Sequence, residues 1–542
     1  MKMWKKSSVM TLLVFVFISL FVMTAAAKDG VITILAVNDL HSQLESQKVK
    51  RLGMEVQTGG FSALGALIEG ERKHNPNLLL VETGDISYGA MFYHFKGEPE
   101  YRALSLMGVN VGTLGNHEFD HGADALKTTM QFAKFPVVVS NLSFEDPALA
   151  KLFPKSVIKE TAGLKVGFFG LMAPELFSIA SPGEKVKINQ DIEGVARKMV
   201  ESLKKQGADV IIALTHIGAE ADMRLAENVA GIHAILGGHS HTLIPVKTVV
   251  NGPEGWKTLV GQQLAYTQYL GRLDLALKNG ALDVPNTSWK TILVTPEAGE
   301  HSQIAKLTED YTSRFNKALG APIGSFLSDA NATKAVARGA ECPLGSFMAE
   351  AFRWKVKADI GVINGGNVRG DKIYPAGPVS YKTILEISPY GNKLTRVYLT
   401  GEQLLELAEI SASALSVKGD NYDAKKRVPS GGFLHFAGMK VVFDSAKSPM
   451  EIDNDGKILK QGKRVKSVLV EQDGQWKPVD PKKVYNVVTS NWTADGGDKT
   501  VVMRNAVKKE ATEILDADAI AEYLAFLGGK VRFENQNRIV IE

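Results

Sequence analysis

A chain of 542 residues with a single cysteine, Cys342, can close no disulfide within itself. That excludes a small disulfide-stapled scaffold and leaves the hydrophobic core to hold the fold, which this length permits. No cysteine stands after the N-terminal apolar run, where a lipoprotein would be acylated. An excess of one charge sign is also missing. The formal charge is +4, and it falls to +1 once residues 1–27, with three lysines and no acids, are set aside. Near-neutrality gives no electrostatic case for a nucleic-acid polymer as partner. There is no internal repeat and no low-complexity tract. The apolar run Val9 to Met23 falls short of the roughly 20 residues that span a bilayer.

That run has a different meaning. Lys2, Lys5 and Lys6 precede it and Ala25, Ala26 and Ala27 follow, the charged, apolar and cleavage regions of a secretory leader. Residues 1–27 are expected to be a signal peptide, cleaved after Ala27. The mature protein would then be exported, periplasmic or extracellular, with no stable membrane anchor.

Length alone suggests about three domains, but the texture of the chain shows two. From Val31 to about Val294 apolar runs of strand length recur between helical stretches: "VITILAV", "NLLLVE", "VNVGTL", "FPVVVSN", "KVGFFGL", "DVIIALTH" and "HAILGG". This alternation predicts an α/β domain with buried strands over residues 28–300. In "HSQIAKLTEDYTSRFNKALG", Ile304, Leu307, Tyr311 and Phe315 recur at helical spacing, which predicts an amphipathic connector helix over residues 301–320. Beyond it, "SFMAEAFRWKV", "LTRVYLTGEQLLELAEIS" and "GGFLHFAGMKVVFD" mix helix and strand, an α+β domain over residues 321–542.

Polar clusters sit at the ends of the apolar runs. Asp39 and His41 follow "ITILAV", Asp85 follows "LLLVETG", Asn116 and His117 follow "VGTLG", His216 ends "VIIALTH", and His239 and His241 follow "AILGG". The C-terminal ends of strands are where open α/β sheets build their sites. The densest cluster, "GNHEFDHG" from Gly115 to Gly122, cannot be buried as core without desolvating several polar groups. Asp39 with His41, and His239 with His241, are each two residues apart, so in extended backbone both side chains of a pair face one ion. Imidazole and carboxylate without thiolate suit Zn, Mn, Co or Fe rather than a cysteine-type structural zinc. Seven candidate ligands exceed the needs of one catalytic ion. They fit a two-metal site with a shared carboxylate, which clamps the attacking and leaving oxygens of a displacement at phosphorus.

In order, "NDLH", "GD", "GNHE", "TH" and "GHSH" resemble the signature of calcineurin-like metallophosphoesterases. The later segments "INGGNVRGD", "SPYGNKL" and "SNWTADGGDK" resemble the substrate domain of the secreted 5′-nucleotidase and UDP-sugar hydrolase branch. The resemblance covers nearly all the mature chain. It implies a two-sheet α/β sandwich joined by a helix to an α+β substrate-binding domain. It also implies that Asp39, His41, Asp85 and His241 hold one metal, and Asp85, Asn116, His216 and His239 the other. His117 would then lie beside the scissile phosphate with Asp120 as its orienting partner.

In the second domain the resemblance implies that Tyr390 and Trp492 sandwich the base and that Asp498 accepts the ribose hydroxyls. Arg369 and Arg338 would be substrate-binding arginines, and Asn364 and Asn392 polar contacts. Two departures are visible: Ser42 stands where the family usually has Gly, and "GGDK" replaces the aromatic-containing "GGDG" continuation. The implied activity is an exported two-metal 5′-nucleotidase acting on nucleoside monophosphates, with nucleotide diphosphate sugars as a second substrate class. A 2′,3′-cyclic-nucleotide phosphodiesterase with 3′-nucleotidase activity remains the alternative. A non-catalytic nucleotide-binding or surface interaction protein is a third reading, and the complete ligand set argues against it.

Overall fold

The computed structural model describes residues 28–51, 54–417 and 425–542. The leader expected over residues 1–27 lies outside them. Among the described residues no helix is long and apolar enough to cross a membrane.

Two sheets face each other in the N-terminal domain. One runs in the order Ala281–Leu282, Tyr269–Lys278, Gly30–Val37, Leu79–Glu82, Val111–Thr113 and Val137–Val138, with Ser288–Leu293 also paired to Tyr269–Lys278. The other runs Thr248–Asn251, Lys257–Gly261, Ala234–Leu236, Val210–His216, Leu164–Met172 and Ser156–Thr161. The two-residue period of a strand explains how such apolar runs are used. Ile32, Ile34 and Ala36 point inward to meet Val210, Ile212 and Leu214 of the second sheet. Leu35 and Val37 point outward, under helices that include Phe61–His74 and Glu98–Met107. Ile211 and Ala213 likewise point outward, under Ile192–Lys205 and Ala219–Asn228. Each such side chain contributes roughly 1.5 to 3 kcal/mol by leaving water. The strands Gly30–Val37, Leu79–Glu82, Val111–Thr113 and Val137–Val138 run parallel, so their C-terminal ends share one edge. Tyr269–Lys278 and Ser288–Leu293, which the pattern of apolar runs does not single out, complete that sheet in antiparallel fashion.

The connector is a helix over Ser302–Leu319. Its expected apolar face is found: Ile304, Tyr311 and Phe315 are buried, and Ile304 joins the N-terminal core. Tyr311 meets Phe95 at 4.8 Å between ring centroids. On its other side Lys382 Nζ donates to Asn316 Oδ1 at 2.8 Å, tying the helix to the second domain.

A five-stranded sheet centres the second domain, in the order Leu434–Ala437, Ile360–Asn364, Val484–Ser490, Lys393–Thr400 and Lys508–Leu515. Helices Pro343–Val356 and Gly401–Ser413 supply its core partners. Ile360–Asn364 and Val484–Ser490 are parallel, and Lys393–Thr400 is antiparallel to Val484–Ser490. The ends of the first two and the start of the third therefore share one edge.

Candidate metal centre and substrate cleft

The loops leaving the two N-terminal sheets converge. Asp39, His41, Asp85 and Asn116 come from the first sheet, and His216, His239 and His241 from the second. His41 Nε2 lies 3.9 Å from Asp39 Oδ1 and 3.8 Å from Asp85 Oδ2. His241 Nε2 lies 3.4 Å from Asp39 Oδ1, and His216 Nε2 lies 3.1 Å from Asp85 Oδ2. His239 Nδ1 is 2.9 Å from Asn116 Oδ1. Asp39, His41 and His241 form one group whose ligand atoms lie within 4.8 Å of one another, and Asp85, His216 and His239 form a second. Asp85 also groups with His41, so it stands between the two. All seven expected ligands are together. The two-residue spacing misled in one respect: Asp39, His41, His239 and His241 have positive φ rather than extended backbone, and His239 and His241, expected to face one ion, fall in different groups.

The site is built to receive positive charge. Asp39 and His216 are fully buried and Asp85 nearly so. His216 Nε2 is buried and makes no well-aligned hydrogen bond although Asp85 Oδ2 lies 3.1 Å away, so it faces the carboxylates as a nitrogen open to an ion. Burial pushes His41 and His239 below the usual imidazole range, favouring the neutral form that ligates metal. Burial acts the same way on His216, but Asp85 and then Asp39 overcome it and hold this imidazole up at about 10. Those carboxylates demand a cation at that spot. A nitrogen and oxygen donor set in two groups around a shared carboxylate fits two divalent ions.

The supporting contacts explain the geometry. His216 Nδ1 donates to Thr83 O at 2.8 Å, which turns Nε2 toward the centre. Glu118 accepts from the backbone N–H groups of Asp85, Ser87 and Gly115 at 3.0, 2.9 and 2.6 Å, clipping two ligand loops together. Asp39, His41, Asp85, His239 and His241 all adopt positive φ, between 46° and 79°. That backbone region is uncommon outside glycine and clusters at functional sites. Gly115 is required by close approach, since a Cβ there would collide with Asp85 Oδ1. Ser42, in the position the family usually gives to Gly, also has positive φ, at 52°, and its hydroxyl donates to Glu100.

His117 is placed differently from its neighbour Asn116. Its Nδ1 is engaged by Asp120 Oδ2 at 2.7 Å, and the same carboxylate oxygen accepts the Tyr93 hydroxyl at 2.7 Å. Burial would lower this imidazole, yet Asp120 and Asp85 outweigh it and raise it above its ordinary value. Distance alone also groups His117 with His41 and Asp85. Its Nδ1 is taken by Asp120 and its ring lines the cleft, which leaves Nε2 to face a bound group.

All seven second-domain residues singled out in the sequence, Arg338, Asn364, Arg369, Tyr390, Asn392, Trp492 and Asp498, line one cavity of about 250 Å³, together with Asn116, His117 and Asp120. The shared sheet edge explains this. Asn364 ends the strand Ile360–Asn364, Tyr390 and Asn392 lead into Lys393–Thr400, and Trp492 follows Val484–Ser490. Trp492 is half-buried and faces the cavity, so it is wall rather than core. Its indole lies against Gly497, where a Cβ would collide with the ring. Asn364 Nδ2 donates to Asp498 Oδ2 at 2.7 Å, and Arg338 Nε is buried with no hydrogen-bond partner. Lys499 turns away from the cleft: its Nζ donates to Ile452 O at 2.8 Å and Lys425 O at 3.2 Å. Tyr88, Tyr93 and Glu118 are the site residues that the sequence reading missed, and nothing in "ISYGAMFYHF" distinguishes such aromatics from core.

Residues 32–243 match the family model for a calcineurin-like phosphoesterase, and residues 319–505 that for a 5′-nucleotidase C-terminal domain. The trifunctional nucleotide phosphoesterase protein YfkN of Bacillus subtilis is 26% identical over 94% of this chain, which spans 35% of that longer protein. A 5′-nucleotidase of Rattus norvegicus is 25% identical over 92% of this chain and 88% of its own. Among solved structures, the 5′-nucleotidase precursor from Thermus thermophilus superposes with a TM-score of 0.80 at 28% identity, covering 94% of this chain and 99% of that one.

Proposed function

From the premise that this chain belongs to the family joining a calcineurin-like phosphoesterase to a 5′-nucleotidase C-terminal domain, and is therefore a metal-dependent phosphoric ester hydrolase, we propose that it is an exported 5′-nucleotidase. It would release phosphate from nucleoside 5′-monophosphates, with nucleotide diphosphate sugars as a second substrate class. The catalytic domain would be residues 28–300, the connector 301–320 and the substrate domain 321–542, after a leader over 1–27. The observation that carries this reading is the single cavity in which His117 and Asn116 of one domain meet Tyr390, Trp492 and Asp498 of the other. That arrangement suits a substrate with a phosphate at one end and an aromatic base at the other.

Asp39, His41, Asp85 and His241 would hold one ion, and Asp85, Asn116, His216 and His239 the other. When bound, such a pair supplies Lewis-acid activation of water and of the phosphoryl group. The chain does the rest. His117 Nε2 donates to the phosphoryl oxygen on which charge accumulates, while Asp120 fixes the ring through Nδ1 and Tyr93 fixes Asp120. Arg369 and Arg338 present guanidinium groups to the phosphate. Asp498 accepts the ribose hydroxyls, with Asn364 bracing it. Tyr390 and Trp492 hold the two faces of the base, a contact worth roughly 1 to 3 kcal/mol per ring and tolerant of base identity.

The test is phosphate release from AMP, 3′-AMP, 2′,3′-cyclic AMP and a UDP-sugar, assayed side by side. AMP is expected to be turned over with the highest kcat/KM. Preference for the cyclic and 3′-nucleotides would replace this reading with the cyclic phosphodiesterase alternative. No turnover of any of the four by metal-loaded protein would favour a nucleotide-binding role.

A further inference from the structure

Tyr88 belongs to none of the metal or substrate motifs, yet it stands at the junction of both domains. It immediately precedes the helix Gly89–Phe95, three residues after Asp85. Its ring meets His41 at 5.4 Å and His117 at 5.6 Å between centroids, edge-on in both cases. From the second domain, 281 residues along the chain, Arg369 Nε donates to the Tyr88 hydroxyl. The guanidinium carbon lies 4.6 Å from the centre of the Tyr88 ring and 5.5 Å from that of Tyr390. A cation over two aromatic rings is attracted to both.

The donor inventory of Arg369 shows what this contact leaves free. A guanidinium has five N–H groups in a rigid fork. Tyr88 takes the one on Nε, and Gly366 O accepts one from Nη1 at 3.3 Å. The remaining N–H groups are available to an anion. A tyrosine from the metal domain thus fixes the orientation of an arginine from the other domain, beside the histidines that flank the metal centre.

We propose that Tyr88 is a positioning residue for phosphate recognition: it seats Arg369 so that the unused edge of the guanidinium meets the phosphate of the substrate. The inference rests on the phosphate-ester reading given above. It makes the phosphate pocket a product of both domains, complete only when Arg369 is docked on Tyr88. Lysine at position 369 could not reproduce it, because an ammonium is a point charge without a planar fork.

The decisive experiment is a double-mutant cycle on the full, metal-loaded chain with Tyr88→Phe, Arg369→Ala and the pair, using AMP and the base-free ester p-nitrophenyl phosphate. Tyr88→Phe keeps the ring and removes the acceptor. It is expected to raise KM for both esters by roughly tenfold, the scale of a hydrogen bond to a charged group, while kcat falls by less than about threefold. Affinity for inorganic phosphate, measured by calorimetry, should weaken in step. In the Arg369→Ala background the same substitution should change neither KM nor phosphate affinity, which a general loss of stability would not mimic. Equal losses with and without Arg369, or a Tyr88→Phe protein that matches its parent, would overturn the inference while leaving the hydrolase reading standing. A parent that hydrolyses neither ester would overturn that reading and this inference with it.

Discussion

The imidazole of His117 and the ring of Tyr390 lie parallel, 5° apart in plane and 6.3 Å between centroids, although one belongs to the metal domain and the other to the substrate domain. On the reading proposed above, a substrate bound at this seam would have its base on the second domain and its phosphate met from both. Trp492→Ala should therefore raise KM for AMP by about tenfold or more, since it removes one stacking wall. Hydrolysis of p-nitrophenyl phosphate, which has no nucleobase, should stay nearly unchanged. Equal losses on both esters would make Trp492 a core residue.

His117 separates chemistry from metal binding. Its Nδ1 is held by Asp120, so only Nε2 faces the cleft. His117→Ala should lower kcat by roughly 100-fold or more, because one lost transition-state donor costs about 2.7 to 4 kcal/mol. Elemental analysis should find the metal content unchanged. Loss of a metal equivalent would make His117 a ligand, as its distances to His41 and Asp85 also permit.

Asp85 lies within reach of histidines from both groups, at 3.8 Å from His41 and 3.1 Å from His216. Asp85→Asn should lower the affinity for both ions, whereas His241→Ala should lower it for one. Metal titration of each apoprotein would show the difference as two weakened sites against one. Identical titrations would mean that Asp85 is not shared.

Asp516 gives the second domain a pH dependence of its own. It is buried behind the cleft, accepting from Ser388 Oγ at 2.9 Å and Asn367 Nδ2 at 3.4 Å, while its backbone N–H donates to Asn392 O. Burial pushes its carboxyl up from 3.8 to about 6. The folded form thus holds a proton that the unfolded chain has released, so stability falls as pH rises from about 4 through about 6. At about 1.4 kcal/mol per pKa unit the loss is roughly 3 kcal/mol. Asp516→Asn should gain about that much relative to the parent between pH 4 and pH 7 in urea unfolding. A constant difference across that range would contradict the assignment.

What could be read in the sequence, and what could not, divides along physical lines. Buried strands must be apolar, so "VITILAV" and "DVIIALTH" announced themselves, and ligand types left at their ends, such as Asp39 and His216, stood out by contrast. The spacing of Ile304, Tyr311 and Phe315 announced the connector for the same reason. Tyr88 and Tyr93 did not stand out, because an aromatic beside a loop has the same composition whether it packs a core or grips Arg369 and Asp120. The positive φ of Asp85 and His239 was also hidden, since it arises from loop closure rather than residue type. Lys499 stood out in the sequence only as a departure from the family's continuation, and the folded chain shows its ammonium turned to backbone carbonyls.

Everything proposed for this chain depends on its hydrolysing nucleotide phosphate esters through a metal pair centred on Asp85. The most direct test is phosphate release from AMP by protein stripped with a chelator, assayed for residual metal, and then titrated with Mn, Co or Zn. Negligible release is expected from the stripped protein, with a rise to full rate as two equivalents bind. Full activity in protein shown by elemental analysis to be metal-free would contradict it.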